Sequence, residues 1–347
     1  MMNGNPEAFL ENFRLNQYVF LRLAEELVQF GGLHGTTNVD SHEQLGIFLY
    51  FAGQHASSSN LQQRFQRSGE TITRHLRRVV TALRRLASKF IKIPSDNRLV
   101  PRKIASNPKF YPFFRNCRMA TDRTHIPVSV PASLVAPFQG RKGVTMNVLA
   151  SCDFDLNFTY ILAGWEGSAG DGKVYADALT KGFSLSATLF DIMDAGFGLT
   201  KQCLTPYRGV RYHLKEFGQG NLRPQDKKEL FNLRHAQLRN CVERIFGVLK
   251  KRFPVLCHAV EYDYVFQVDL FIALCVVHNF TRCHGQSGDR FEQEVNQEIN
   301  ALNREPLTAA DVPVYSDEPE SIEATEWRDG IATEMWSQYR ETIRGRQ

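Results

Sequence analysis

Asp122, Asp194 and Glu243 are the residues whose types and settings could do chemistry together. Asp122 lies inside a strand-like run from Met119 to Ile126, ended by Pro127. Asp194 follows a short apolar run from Thr188 to Met193. Glu243 belongs to a helical pattern from Asp226 to Phe253. Cleaving or transferring a phosphodiester needs an activated nucleophile and a stabilised leaving oxygen, and two Mg²⁺ or Mn²⁺ ions can supply both. Hard cations take oxygen ligands. Two aspartates on strands and one glutamate on a helix would provide them without thiol or imidazole. Like charges this close repel unless cations lie among them. Each acid also has an ordinary reading. Asp122 could pair with Arg123 or Arg141, and Asp194 could be a turn residue before Ala195-Gly196. A fourth acid, Asp171, follows Gly167-Ser168-Ala169-Gly170, where capping of the next helix or support of a ligand ranks ahead of direct metal binding. His125 reads first as a structural histidine.

The helix around Glu243 carries Leu238, Val242, Ile245, Phe246 and Leu249 on one stripe, with Glu243 on its flank beside Arg239 and Lys250. A salt bridge from Arg239 to Glu243 runs in the weaker order for helix support. That leaves room for a functional reading, in which Arg239, Arg244, Lys250 and Lys251 are candidates for contacts to a DNA backbone.

Those side chains need elements to hold them. Three strands (Met119–Ile126, Val144–Cys152 and Phe158–Trp165) form a meander, with a turn at Asp153–Asn157. A helix from Lys173 to Thr180, the strand ending at Met193, and helices over Asp226–Phe253 and Val268–Phe280 follow. Thr200 to Gln225 reads as loop. This is the element order of an RNase H-like α/β domain, a mixed sheet with flanking helices, in which the first strand lies beside the one leading to Asp194.

Upstream, residues 8 to 117 are mainly helical in pattern. Helix, short helix, turn at Arg67–Glu70 and basic helix make a helix-turn-helix-like, all-α segment. Between Arg64 and Lys92 nine basic residues face one acid, Glu70. Arg74, Arg77 and Arg78 are the candidate DNA contacts there, and a solvated basic face of a helical bundle is the rival reading at near parity. The resulting partition is 1–93 helical, 94–117 linker, 118–285 RNase H-like domain and 286–347 polar, acidic tail, which Trp327 and Trp336 could anchor. Across 347 residues the net charge is +5 and the apolar fraction is 43%, ordinary for a globular protein and only mildly suggestive of an acidic partner. The seven scattered cysteines form no C-x-x-C and read as reduced thiols. The most apolar stretch, Val268 to Phe280, contains Asp269, His278 and Asn279 and reads as a buried helix, so no membrane association is expected.

The motifs in their order resemble the PIF/Harbinger transposases and their domesticated nuclease relatives, DDE superfamily endonucleases. The residues that carry the resemblance are Thr121–Pro127, Ala163–Asp171, Asp194–Phe197, Leu204–Tyr207, Phe231-Asn232 with His235, Arg239–Lys250, and Val276–Phe280; it spans roughly residues 40 to 285. It implies an acidic triad at Asp122, Asp194 and Glu243 on an RNase H-like fold, with Asp171 a further recurrent aspartate. It also implies a divalent-metal nuclease or transposase acting on DNA, a nuclear location and a separate Myb-like DNA-binding partner; a homo-oligomer stays open. The rival is a domesticated, non-catalytic DNA-binding or scaffold protein. A metal phosphatase acting on small molecules ranks last, since it leaves the arginine helix unexplained. The sequence departs from the family pattern at Arg123 (usually Gly), at Gly170 (usually His) and in Asp194-Ala195-Gly196-Phe197 (usually Asp-Ser-Gly-Tyr).

Overall fold

The chain's structure, a computed structural model, describes residues 5–211, 214, 223–285, 289–302 and 320–345. Its strands are β1 (Cys117–Pro127), β2 (Gln139–Gly140), β3 (Gly143–Cys152), β4 (Phe158–Glu166), β5 (Phe190–Ile192) and β6 (Cys203–Leu204). β3 pairs antiparallel with β1 on one edge and with β4 on the other, and the short β2 extends its start. β1 pairs parallel with β5, and β5 with β6. The sheet is mixed and RNase H-like, as expected. β3 is buried from Thr145 to Cys152, so helices or loops cover both of its faces. β6 falls inside the stretch read as loop, because two residues are too short to show alternation. The rest of that stretch lies partly outside the described residues.

The longer helices are α1 (Pro6–Phe13), α2 (Gln17–Glu26), α3 (Ser41–Gln54), α4 (Ser58–Phe65), α5 (Gly69–Arg85), α6 (Asp171–Thr180), α7 (Lys227–Arg252), α8 (Tyr264–His284), α9 (Arg290–Leu302) and α10 (Ile322–Arg344). The helix-turn-helix-like segment is α3–α5. His55 and Gln66 end α3 and α4 in the left-handed region, and the Ser57 and Ser68 side chains accept from Asn60 N and Thr71 N to start α4 and α5. The apolar face of α5 (Ile72, Leu76, Val79, Leu83) packs on α8.

That packing changes the expected partition. One apolar core runs without a break from Phe9 and Val19 through Leu76 to Val148, Leu238 and Val276. The stretch read as a polar linker supplies buried Ile104, Phe110 and Phe114. The stretch read as an acidic tail contains α9 and α10, both packed on α7. Trp327 stacks edge-on against Phe190 at 5.0 Å, and buried Arg328 donates to the Thr205 and Pro206 carbonyls and pairs with Glu320. A polar composition hid an amphipathic helix there, because its charges cover solvent and carbonyl caps and its Ala324, Ala332 and Met335 are buried. Residues 303–319 of that tail lie outside the described residues. α8 is buried over most of its length, as its pattern predicted.

Several motif residues hold the frame. Asn279 Oδ1 accepts from Phe158 N (2.8 Å), and its Nδ2 donates to the carbonyls of Phe158 (2.7 Å) and Phe90 (2.9 Å). His278 Nε2 donates to Leu156 O at 2.9 Å. Together they fix the β3–β4 turn against α8. In the same way Asn232 brackets the Tyr207 backbone and His235 Nε2 donates to Leu204 O at 3.0 Å, fixing the strand end after β6 against α7. Gly247 lets α9 close on α7, since a Cβ there would meet Val295 Cγ1 at 3.0 Å. At Gly167 a Cβ would fall 2.5 Å from Thr145 O.

Candidate active site

β1 and β5 run parallel with Ala120 opposite Ile192. Two residues further along each chain, Asp122 and Asp194 therefore stand side by side beyond the end of β5. Strand C-terminal ends are where open α/β sheets usually build their sites. α7 crosses β1 and brings Arg239 and Glu243, one turn apart on one face, over the same place.

The three carboxylates meet on one cation, and that cation belongs to the protein. Arg239 Nη1 donates to Asp122 Oδ2 at 2.7 Å, and Nη2 donates to Glu243 Oε1 at 2.6 Å and lies 4.0 Å from Asp194 Oδ1. Side-chain exposure rises outward, from 7% at Arg239 through 20% at Asp122 and 32% at Asp194 to 53% at Glu243. The guanidinium is the floor of a cleft that Glu243 opens to solvent. Asp122 Oδ1 also accepts from the backbone N of Arg123 at 2.7 Å. Burial pushes the Asp122 carboxyl above its ordinary value, Arg239 pulls it back, and the neighbouring Asp194 pushes it up again. One guanidinium cannot neutralise three carboxylates, so this cleft retains negative charge.

The donor set is all carboxylate oxygen and suits a hard divalent cation by type. Among the described residues, however, no three metal-ligating side chains come close enough to share one ion. Arg239 spaces them, with Asp122 and Glu243 on different nitrogens.

Asp171 sits elsewhere. It is the first residue of α6, and it forms an ion pair with Arg123, whose Nη1 also donates to Ala169 O at 3.0 Å. Arg123 and Asp122 point to opposite faces of β1, so Asp171 braces the far side of the strand. Two of the departures from the family pattern, Arg123 and Gly170, are adjacent here, since Arg123 pairs with Asp171 and Gly170 is the cap residue of α6. His125 Nδ1 is 3.0 Å from Thr145 Oγ1, and burial, then Lys142, Arg123 and Lys250, hold its pKa down at about 4.

Most basic candidates are spoken for within the chain. Arg239 floors the carboxylate cleft. Arg244 pairs with Glu292 at 3.2 Å, and Lys251 with Glu298 at 2.6 Å. Lys250 Nζ donates to Thr124 Oγ1 at 2.9 Å, and burial lowers its pKa. Arg77 pairs with Asp263 at 2.5 Å and Arg78 donates to His34 O at 2.9 Å, so the arginine row partly staples α5 to its surroundings. Arg74 is the most solvent-open of the α5 candidates, with Glu70 at 4.0 Å. The acidic partners in α9 lie in the region read as a tail, which is why the sequence left Arg244 and Lys251 looking free.

Nothing in the motif pattern marks Arg118 and Asp191. Arg118 Nε donates to Asp191 Oδ1 at 2.9 Å and Nη2 to Oδ2 at 2.6 Å, both side chains almost wholly buried. They tie β1 to β5 behind Asp122 and Asp194. The available signal was an aspartate inside an apolar strand, which must find a partner when buried.

Residues 121–279 match the family described as DDE superfamily endonuclease, and residues 1–85 match a family described only as a domain of unknown function. Over 239 aligned residues the chain is 26% identical to Protein ALP1-like of Arabidopsis thaliana, covering 62% of this chain and 54% of that protein. The chain thus spans about half the length of that relative. No solved structure matches.

Proposed function

Since residues 121–279 of this chain match the family described as DDE superfamily endonuclease, we propose that the protein is a metal-dependent DNA endonuclease or transposase-derived nuclease whose site is Asp122, Asp194 and Glu243. The observation that carries this reading is the meeting of those three carboxylates, from two parallel strands and one helix, around a single positive charge. The three would hold Mg²⁺ or Mn²⁺, which when bound supplies Lewis-acid stabilisation of phosphodiester cleavage. The chain's own residues set the frame. Asp122 is oriented by the Arg123 backbone N, and Glu243 stands at the solvent-open side. Lys250, two turns from Glu243, presents a cation at Thr124, one step along the same face of β1 from Asp122. Arg74, with Arg77 and Arg78 beside it along the groove between α4 and α5, offers a second basic surface for DNA. The Myb-like partner, self-association and nuclear location belong to the same proposal.

Asp122→Asn tests it. An Mg²⁺- or Mn²⁺-dependent nicking assay on DNA is expected to lose all cleavage with this variant while DNA binding persists. Cleavage that survives the substitution removes the assignment. A second reading, a domesticated protein that binds DNA without cutting it, is favoured by Arg239 lying among the carboxylates. It predicts DNA retention with steep salt dependence and no nicking by the unaltered chain under any divalent ion.

A further inference from the structure

We infer that Arg239 is a built-in counter-cation of the carboxylate site, and that a divalent ion enters only as the Arg239 guanidinium moves off Asp122 and Glu243. The inference rests on the metal-dependent reading above and concerns how that site is regulated.

Three observations carry it. The guanidinium bridges two of the three carboxylates with short charge-assisted bonds, 2.7 Å to Asp122 and 2.6 Å to Glu243, and stands 4.0 Å from the third. It is thus in the position that a shared ion would take. Those bonds are also what keeps the carboxylates from closing on one point, since Asp122 and Glu243 engage different nitrogens about a guanidinium width apart. Among the described residues no ready metal-ligating group of three exists while it stays there. Finally, Arg239 and Glu243 share one helix face, so α7 itself delivers both the competitor and a ligand. A small motion of the long Arg239 side chain releases Asp122 Oδ2 and Glu243 Oε1 from these two bonds without moving either backbone.

The physical logic is competition at one site. Without metal, an unscreened carboxylate cluster would destabilise the fold by like-charge repulsion, and Arg239 relieves part of it. With metal, the ion must first replace those two bonds, so its apparent affinity is lower than the carboxylates alone would give. A freed guanidinium beside the ion would face an incoming phosphodiester with two donors in bidentate geometry. The same side chain then protects the empty site and meets the substrate at the loaded one.

The test compares Arg239→Gln and Arg239→Lys with the unaltered chain, using Mn²⁺ alone as probe. Mn²⁺ binding is read by the loss of the free-ion electron paramagnetic resonance signal, and thermal stability is read in EDTA and in Mn²⁺. For Arg239→Gln the expected result is a lower Tm in EDTA, Mn²⁺ affinity raised at least tenfold, and a larger Mn²⁺-induced rise in Tm than the unaltered chain shows. Arg239→Lys, which keeps the charge and can reach fewer carboxylates, is expected to fall between the two and covers the case in which the glutamine variant does not fold. Equal or weaker Mn²⁺ affinity in both variants, with binding intact in the unaltered chain, overturns the counter-cation role and leaves the metal site standing. No Mn²⁺ binding by any of the three chains overturns the metal reading and the inference with it.

Discussion

Replacing Asp191 by asparagine removes the negative half of the buried pair that joins β1 to β5. In the native chain Arg118 spends two donors on Asp191, at 2.9 and 2.6 Å, with side-chain exposures of 3% and 1%. Asparagine has nearly the same shape as aspartate, so packing is preserved and the loss is electrostatic. What remains is a buried guanidinium without its carboxylate, which costs about 3–5 kcal/mol when a buried pair is broken from one side. For a chain of 347 residues the entropy of unfolding is roughly 0.7 kcal/mol per kelvin, so the melting temperature should fall by about 4–7 °C. Scanning calorimetry at pH 7.5 measures it. The double variant Arg118→Met/Asp191→Leu removes both charges and should recover most of the loss, because an apolar pair of similar volume suits the same space. Because the pair lies just before Asp122 and Asp194 on the two strands, Asp191→Asn should also weaken Mn²⁺ binding while the double variant restores it. A fall below about 1 °C for the single variant, or a double variant less stable than the single, would refute the reasoning.

Two further outcomes follow from the buried polar residues. Asn279→Ala leaves the Phe158 N–H and the Phe158 and Phe90 carbonyls without their side-chain partner, and should lower the urea unfolding free energy by about 2–4 kcal/mol; a change under about 0.5 kcal/mol would contradict the role given to it. His235 and His278 are fully buried, and burial holds both pKa values down at about 3. The unfolded chain binds those protons near pH 6.5 and the folded chain does not, so the stability from their neutral forms is present above pH 6.5 and lost as pH falls toward 3. Unfolding free energy should drop by up to about 2 kcal/mol per histidine between pH 7.5 and 5, and His278→Gln should remove up to about 2 kcal/mol of the total drop, read by chemical denaturation across the pH series.

The recognisable motifs are of two physical kinds. Asp122, Asp194 and Glu243 face the cleft. Asn232, His235, His278 and Asn279 face inward and satisfy backbone groups where strands end. Sequence shows both as polar residues in apolar settings and does not distinguish a residue that waits for a ligand from one that already has a partner. The same limit applied to charge. Arg244, Lys251 and the α5 arginines looked available because their partners lie tens to hundreds of positions away: Glu292, Glu298 and, for Arg77, Asp263.

The strands, the long helices and their order were legible along the chain, because periodicity of two or 3.6 is a local property that needs no knowledge of what is packed against it. So were the acids that could meet, since the strand order of an RNase H-like sheet leaves few choices. Three things came only with tertiary packing. It merged the N-terminal helices, the 94–117 stretch and the sheet into one core, through contacts such as α5 on α8 that join distant segments. It folded α9 and α10 of the C-terminal region onto α7 and used their charges as partners. And it brought Asp122 and Asp194 to the Arg239–Glu243 pair through the crossing of α7 over β1; the spacing along the chain records that pair but not the two aspartates.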